Sequence, residues 1–336
     1  MKKKWEYKYP ERVVSAMVSE DHVLIGGQLY FVHMTNGTYP RAGIYRVDVN
    51  TGEAAAVWET TDFLRTMGVY KDGCFYFTSL RGNAYCVTTE GEVRWKRQLG
   101  EKPGAADWNV VLEGDRLFMA QDALYCLDPE TGETIWANEE RTHGSSCTIV
   151  VEEDVIYHAK SGGCIYCCDK FDGKTVWTYG SEEWCRGALA VDASTLMFVH
   201  THGKFLFIDK RDGYLVREVA AGGKLMKPPV MVGKRLYVGE NVQPSGGRMM
   251  CYELGENYEM KPVFEVPAGS AVTSQAVFVG EKLYFGIEDG SVYCVNRVTG
   301  EEIEKKKKVK GACRGIVPFG DGFVALSDKG PAMGLT

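Results

Sequence analysis

The sequence predicts an all-β fold, an eight-bladed β-propeller built from four-stranded antiparallel blades. Three observations support this prediction. One motif recurs about every 40 residues, each copy lies in a unit with four short strand patterns, and the two chain ends carry complementary parts of one further unit. Four strands in a unit of about 40 residues are typical of a propeller blade.

The repeat is clearest in two segments, "LYCLDPETGETIW" at 124–136 and "IYCCDKFDGKTVW" at 165–177. The second residue of this motif returns after steps of 40, 40, 41, 40, 44 and 43 residues. These steps give seven copies, at Tyr45, Tyr85, Tyr125, Tyr166, Leu206, Met250 and Tyr293. An insertion, "ENVQPSGGR" at 240–248, accounts for the longest step.

Each unit contains an apolar strand, a second strand, the motif strand and a strand that often ends in Trp. Gly and Asp separate these strands, as expected for tight hairpins. The glycine of the last turn is expected to adopt a positive φ. It stands at Gly52, Gly91, Gly132, Gly173, Gly213 and Gly300.

The two ends of the chain are predicted to close the ring. The tail at 313–336 holds three strand patterns and no Trp strand, whereas the N-terminus offers such a strand, "KKWEYKY", around Trp5. The first strand should therefore complete the last blade and leave no free inner edge. The prediction is one propeller domain, 1–336, with blades at roughly 12–60, 61–99, 100–140, 141–181, 182–222, 223–268, 269–310 and 311–336 plus 1–10.

Tryptophans and cysteines that recur with the repeat are predicted to be packing residues. Each repeat Trp should cap the neighbouring blade: Trp5, Trp58, Trp95, Trp136 and Trp177. A Cys follows the motif residue in five blades, where a small apolar side chain suits a crowded contact: Cys86, Cys126, Cys167, Cys251 and Cys294. The adjacent Cys167 and Cys168 should face opposite sides of a strand. All eleven thiols are expected to be free.

Composition narrows the classes of protein. The net charge is −6, with 45% hydrophobic and 25% charged residues, which is ordinary for a soluble globular protein. No apolar run approaches the roughly 18 residues of a membrane span, and a mildly acidic chain is a poor nucleic-acid binder. The N-terminus, "MKKKWEYKYP", lacks the apolar segment of a secretory signal. Together with the odd number of cysteines, this predicts a cytoplasmic protein.

The run "LDPETGETIW", echoed by "CDKFDGKTVW" and "VDVNTGE", resembles the tryptophan-docking repeat of the PQQ-like β-propellers. That family includes the quinoprotein dehydrogenases and the propeller lipoprotein of outer-membrane β-barrel assembly, both eight-bladed. The resemblance covers essentially the whole chain and implies the propeller fold.

For the enzymes of this family, the resemblance would further imply a central PQQ, a Ca²⁺ held by acidic and amide side chains, and an Asp base. The alcohol dehydrogenases add a vicinal disulfide. These groups do not map onto this sequence residue by residue, and Cys167-Cys168 lies inside a repeat strand. The lipoprotein's signal and lipid-modified Cys have no counterpart. No cofactor is therefore predicted.

Cations just before the inner strands are the first candidate site. Aligning the blades places Arg65, Arg186 and Arg314 at one position, with Lys227 one position off. These residues are predicted to surround one mouth of the central channel and to bind a carboxylate or phosphate. Alternatively, they are solvated or pair with nearby acids, such as Asp62, Glu182 and Glu183.

Aromatic residues outside the repeat are the second candidate. Trp108 and Trp184 lie on loops that enter inner strands, where they could form pocket walls or merely pack locally. His143 lies in another such loop, and His200 and His202 lie between a second and a third strand. Two imidazoles two residues apart on a strand would share a face, as zinc sites require, but no Cys or carboxylate has a diagnostic spacing, so no metal is predicted.

Two functions remain. The first is a non-catalytic cytoplasmic propeller that binds a partner protein or a small ligand on its loop face. The alternative is an enzyme or sensor that acts on a small anionic ligand at the channel mouth, near Arg65, Arg186 and Arg314. The sequence contains no phosphate-binding loop, nucleophile elbow or HExxH motif, which favours the first.

Overall fold

Each repeat unit folds into one antiparallel sheet, because tight turns join its short strands into successive hairpins. The computed structural model describes residues 2–7, 17–34, 42–64, 68–99, 110–139, 146–160, 164–180, 185–242, 246–320, 322–328 and 332–335. The strands in these ranges form eight sheets, which confirms the predicted eight-bladed propeller.

The first half of the chain contributes the N-terminal strand and four blades. The N-terminal strand is β1 (Lys3–Tyr7). Blade 1 consists of β2 (Met17–Ile25), β3 (Gln28–Met34), β4 (Ala42–Asp48) and β5 (Ala54–Thr60). Blade 2 consists of β6 (Val69–Lys71), β7 (Cys74–Thr78), β8 (Asn83–Thr88) and β9 (Val93–Gln98). Blade 3 consists of β10 (Val110–Glu113), β11 (Arg116–Ala120), β12 (Leu124–Leu127) and β13 (Thr134–Asn138). Blade 4 consists of β14 (Ser146–Val151), β15 (Val155–Lys160), β16 (Ile165–Asp169) and β17 (Thr175–Tyr179).

The second half contributes four more blades. Blade 5 consists of β18 (Cys185–Ala190), β19 (Thr195–His200), β20 (Lys204–Asp209) and β21 (Leu215–Ala220). Blade 6 has an inner strand in two segments, β22 (Lys224–Leu225) and β23 (Val230–Val232), followed by β24 (Arg235–Asn241), β25 (Gly247–Leu254), a 3-10 turn (Glu256–Tyr258) and β26 (Met260–Ala268). Blade 7 consists of β27 (Val277–Val279), β28 (Lys282–Gly286), β29 (Ser291–Asn296) and β30 (Glu302–Lys308). Blade 8 begins with β31 (Cys313–Phe319), β32 (Gly322–Ser327) and β33 (Ala332–Leu335).

The N-terminal strand closes the ring as predicted. β1 pairs with β33, so blade 8 has the strand order β1-β33-β32-β31. Trp5 lies opposite Gly334, and its indole Nε1 donates a 2.8 Å hydrogen bond to the Val49 carbonyl of blade 1. One side chain of the closing strand thus joins the last blade to the first.

The repeat tryptophans dock on the next blade, as expected. Trp136 donates from Nε1 to the Lys170 carbonyl of blade 4 at 3.1 Å. Its ring lies against Gly173, where an added Cβ would come within 2.4 Å of the indole and where φ is +75°. Trp95 and Trp177 make equivalent bonds. Trp58 departs from this pattern and packs instead against the rings of Phe77 and Tyr85, with centroids 5.7 and 5.3 Å away.

The repeat cysteines face these tryptophans. Cys86, Cys126 and Cys167 pair in register with Trp95, Trp136 and Trp177. A small side chain at this position leaves space for the indole across the strand pair. The ten cysteines whose side chains are described are all free thiols. Burial raises the pKa of Cys167 to about 12, which keeps its thiol protonated.

The hydrophobic core is divided into clusters that lie between neighbouring blades. One such cluster joins blades 4 and 5 through Ile165 and Trp177 on one side and Phe198 and Leu206 on the other. The outer strand of blade 7, β30, is rich in lysine and ends at Lys307 and Lys308, whose charges discourage pairing with another sheet edge. No helix within the described ranges is long and apolar enough to cross a membrane.

Candidate functional site

Inner strands begin, and second strands end, on the same side of the propeller. We call this side the loop face, and we call the opening of the central channel on it the mouth. In five blades, a residue at the start of the inner strand pairs with a residue at the end of the second strand, and these pairs lie at the loop face. They are Leu64 with Ser79, Cys185 with His200, Leu225 with Glu240, Val272 with Ile287 and Cys313 with Ser327.

Arg186 and Arg314 occupy equivalent positions in blades 5 and 8. Each is the second residue of its inner strand, and each lies at a break in strand register, between Cys185 and Gly187 or between Cys313 and Gly315. They are therefore inside the strand, at a bulge, and not just before it as the alignment indicated. The side chain of Arg186, and all of Arg65, lie outside the described part of the chain.

The Arg314 guanidinium forms a two-point ion pair with Asp328 of its own blade. Nε lies 2.9 Å from Oδ1 and Nη2 lies 2.8 Å from Oδ2. The hydrogen bond with Asp328 raises the pKa of Arg314, and the charge of Glu288 in blade 7 adds to this shift. Arg314 thus follows the alternative raised by the sequence, pairing with a nearby acid, so an anionic ligand would share this guanidinium with Asp328.

Lys227 is the buried cation of the mouth. It lies between β22 and β23, is 8% exposed, and is followed by Pro228. Burial lowers the pKa of Lys227 to about 7, the positive charge of Arg314 contributes to this shift, and Asp328 opposes both effects. Both charges that act on Lys227 belong to blade 8, two blades further round the ring.

The backbone around Lys227 is fixed by both neighbouring blades. A Cβ on Gly187 of blade 5 would lie 2.7 Å from the Pro228 side chain, so only a glycine permits this contact. On the other side, Gln275 of blade 7 donates from Nε2 to the Pro228 carbonyl at 3.3 Å. The interrupted inner strand of blade 6 therefore presents Lys227 from a firmly packed segment.

The remaining candidates do not form one cluster in the described structure. Trp108, His143 and Trp184 lie outside the described residues. His200 is buried at the end of β19, whereas His202 is exposed in the turn that follows. The two imidazoles therefore do not share a strand face, because the strand ends at His200. Within the described ranges, no group of three or more His, Cys, Asp or Glu side chains could hold a metal ion.

A set of buried polar residues at the ends of second strands was missed by the sequence analysis. Each lies at the register position defined above or its equivalent in blade 3: Ser79, Gln121, His200, Glu240 and Ser327. The available signal is a polar residue closing an apolar strand, as in "YFTS", "FMAQ" and "VALS". It was overlooked because such a residue usually begins a solvated turn.

Most of these polar groups are satisfied by their own surroundings. Glu240 is fully buried, and its Oε2 accepts bonds from Arg248 Nη2 at 2.8 Å and Nε at 3.0 Å, while Tyr252 donates to Oε1. This pair closes the base of the insertion in blade 6. Ser327 donates to the Lys310 carbonyl at 2.9 Å. These hydrogen bonds stabilise the loop face.

Asp62 is a buried carboxylate at the loop face of blade 2. It accepts 2.7 Å bonds from Asn83 Nδ2 and the Tyr85 hydroxyl, and a 2.8 Å bond from the Phe63 amide. Burial by itself would raise the pKa of Asp62, but hydrogen bonds, including one from Ser79, hold it below its usual value. Asp62 is therefore an ionised group at the loop face, in blade 2.

Gln121 differs from the other buried polar residues of this set because only one of the two polar atoms of its side-chain amide has a hydrogen-bond partner among the described residues. Its Nε2 donates to the Ser79 carbonyl of blade 2 at 3.1 Å, so its side chain bridges two blades. Its Oε1 is buried and has no hydrogen-bond partner among the described residues. A buried acceptor without a donor costs folding free energy of about 1–3 kcal/mol.

The described residues do not fit the PQQ and Ca²⁺ that the quinoprotein enzymes carry. Cys167 and Cys168 are free and buried in two different inter-blade clusters, so they cannot form a vicinal disulfide over a cofactor. The described part of the chain also lacks a group of acids that could hold a cation. We therefore derive no redox chemistry for this propeller.

The chain is similar to known proteins in both sequence and structure. The family model described as outer membrane protein assembly factor BamB matches residues 120–330. Among solved structures, BamB from Moraxella catarrhalis is 14% identical over 100% of this chain and 99% of that one, with a TM-score of 0.69. A europium-containing methanol dehydrogenase is 15% identical over 98% of this chain and 85% of that one, with a TM-score of 0.74.

The computationally designed protein Ika8 shares the architecture with less sequence similarity. It is 11% identical over 100% of this chain and 99% of that one, with a TM-score of 0.77. A search of curated proteins finds no match. At such low identities, the structural similarity shows the fold and says nothing about activity.

Proposed function

Because the chain belongs to the family of the outer membrane protein assembly factor BamB, we propose that it is a non-catalytic propeller that binds a partner through its loop face. The bound group is a carboxylate or phosphate, presented by an acidic segment of a protein or by a small molecule, and it is held at the channel mouth. The name of the matched family, an assembly factor, supports a binding role over catalysis.

Lys227 is the observation that carries this proposal. Its side chain is 8% exposed, and the nearby cation, Arg314, repels its amine. Asp328, the acid that acts on Lys227, is already committed to Arg314 through two hydrogen bonds. An anion entering the mouth would be attracted by the positive charges of Arg314 and of the protonated Lys227, and this attraction would appear as binding affinity.

The thiols support the compartment that we propose. Ten cysteines with described side chains are free, and several of them are held deep between blades. Free thiols persist in a reducing environment, whereas the thiols of exported proteins tend to be oxidised to disulfides. We therefore propose a cytoplasmic propeller.

Titration of the wild-type protein with two anions tests the proposal. The probes are a hexaglutamate peptide and tricarballylate, a small tricarboxylate, each followed by calorimetry at low and physiological salt. We expect binding that weakens with salt, because charge pairs near solvent are screened over about 8–10 Å. Binding of tricarballylate alone would favour the alternative, a sensor or enzyme for a small anion at the same mouth.

Two lysine variants identify the site. Lys227→Met should weaken both probes by at least about tenfold, since it removes the buried cation. Lys234→Met is the matched control, because Lys234 is an exposed lysine in the turn between β23 and β24, on the other side of the blade. Equal binding by the wild type and Lys227→Met, or no binding of either probe, would contradict the proposal.

A further inference from the structure

The unsatisfied oxygen of Gln121 is not explained by the packing of the blades. The Ser79 carbonyl, to which Gln121 donates, also accepts a 3.0 Å bond from the Gly82 amide. That carbonyl would therefore remain satisfied without Gln121. Folding alone would be served as well by an apolar side chain of similar length, which would bury no lone acceptor.

Gln121 also links two blades at the loop face. It ends the second strand of blade 3 and bridges to blade 2, and through Ser79 it adjoins the ionised Asp62. Both Gln121 Oε1 and the Asp62 carboxylate accept hydrogen bonds. This sector of the loop face thus favours donors, whereas the sector around Lys227 favours anions.

We propose that Gln121 Oε1 is a subsite for a backbone N–H of the bound protein segment. This inference rests on the proposed function and specifies its partner as an extended acidic peptide. The peptide directs carboxylates to Lys227 and an amide N–H to Gln121. An extended chain advances about 3.3 Å per residue, so a six-residue segment spans about 20 Å.

The test compares a probe that has backbone N–H donors with one that has none. Hexaglutamate has them and tricarballylate does not, while both carry carboxylates. Gln121→Met should weaken hexaglutamate by at least about fivefold, because one hydrogen bond to a buried acceptor is lost. It should leave tricarballylate binding unchanged, whereas Lys227→Met weakens both.

Stability without ligand provides a second readout. Removing a buried lone acceptor should leave the melting temperature of Gln121→Met equal to or above that of the wild type. Gln98→Met is the matched control: this exposed glutamine donates to the Arg81 carbonyl at 3.0 Å on the same face. It should change neither the affinity for hexaglutamate nor the melting temperature.

The outcomes separate the two ideas. If the wild type binds tricarballylate but not hexaglutamate, the anion site stands and the peptide subsite is wrong. The subsite is also wrong if Gln121→Met binds hexaglutamate as tightly as the wild type, and a lowered melting temperature would then assign Gln121 a purely structural role. If the wild type binds neither probe, the proposed function fails and the subsite fails with it.

Discussion

The Arg314 guanidinium and the Asp328 carboxylate meet at two points, with Nε–Oδ1 at 2.9 Å and Nη2–Oδ2 at 2.8 Å. The two side chains are partly buried, 30% and 16% exposed, and both charges act on the Lys227 amine. Asp328 therefore compensates the positive charge of Arg314 and moderates the repulsion on Lys227.

Asp328→Asn should destabilise the protein at pH 7. Arg314 and Lys227 would then repel each other without the Asp328 carboxylate, and we expect a loss of about 1–3 kcal/mol in the free energy of unfolding. Urea unfolding measures this loss. Asp172→Asn, which removes an exposed pair with Lys174, is the control and should cost less than about 1 kcal/mol. Equal effects of the two variants would show that Asp328 has no special role.

The free energy of unfolding of the wild type should rise with pH, relative to that of a variant that lacks the Lys227 amine. Its pKa is about 7 in the folded protein and 10.5 as the ordinary value, so between these values the unfolded chain binds the extra proton. The free energy of unfolding therefore increases as pH rises through this range. Below about pH 7 the amine is protonated in both states, and the burial cost is fully present.

The measurement compares the wild type with Lys227→Met from pH 6 to 9. The difference in unfolding free energy should stay constant below pH 7 and then shift in favour of the wild type, by at most about 1.4 kcal/mol per pH unit. Tyrosines and cysteines that titrate in both proteins cancel in this difference. A difference that does not change with pH would mean that Lys227 titrates normally.

Deleting residues 1–9 should open the ring. The deletion removes β1 and the Trp5 contact with blade 1, and it exposes the edge of β33. We expect aggregation or a large fall in melting temperature, measured by light scattering during a thermal ramp. A truncated protein that melts like the full chain would contradict closure by this strand.

All eleven thiols should titrate as free in denaturant without a reductant. In the native protein they should react slowly, because burial raises the pKa of thiols such as Cys126 and Cys313 to about 11 and about 12. Ellman's reagent measures both rates. Two or more native disulfides would contradict the packing of the cysteines and the proposed compartment.

The fold could be predicted without coordinates, because the repeat forces the same contacts in every blade. A glycine that must accept an indole, a cysteine opposite that indole and strands of fixed length recur together, as at Gly173, Cys126 and Trp136. Each blade thereby specifies its own structure and its contact with the next. The closing strand followed from the same logic, since the two chain ends carried complementary parts of one blade.

The candidate site was only partly predictable, because its contacts join residues that the repeat does not relate. Alignment found the equivalent positions of Arg186 and Arg314, and it found Lys227 near them. It did not indicate that Asp328 holds Arg314, that Lys227 is buried, or that Gln121 keeps a lone acceptor. Side-chain direction and burial at the mouth depend on how the blades converge around the channel, and they are set only when the whole ring is assembled.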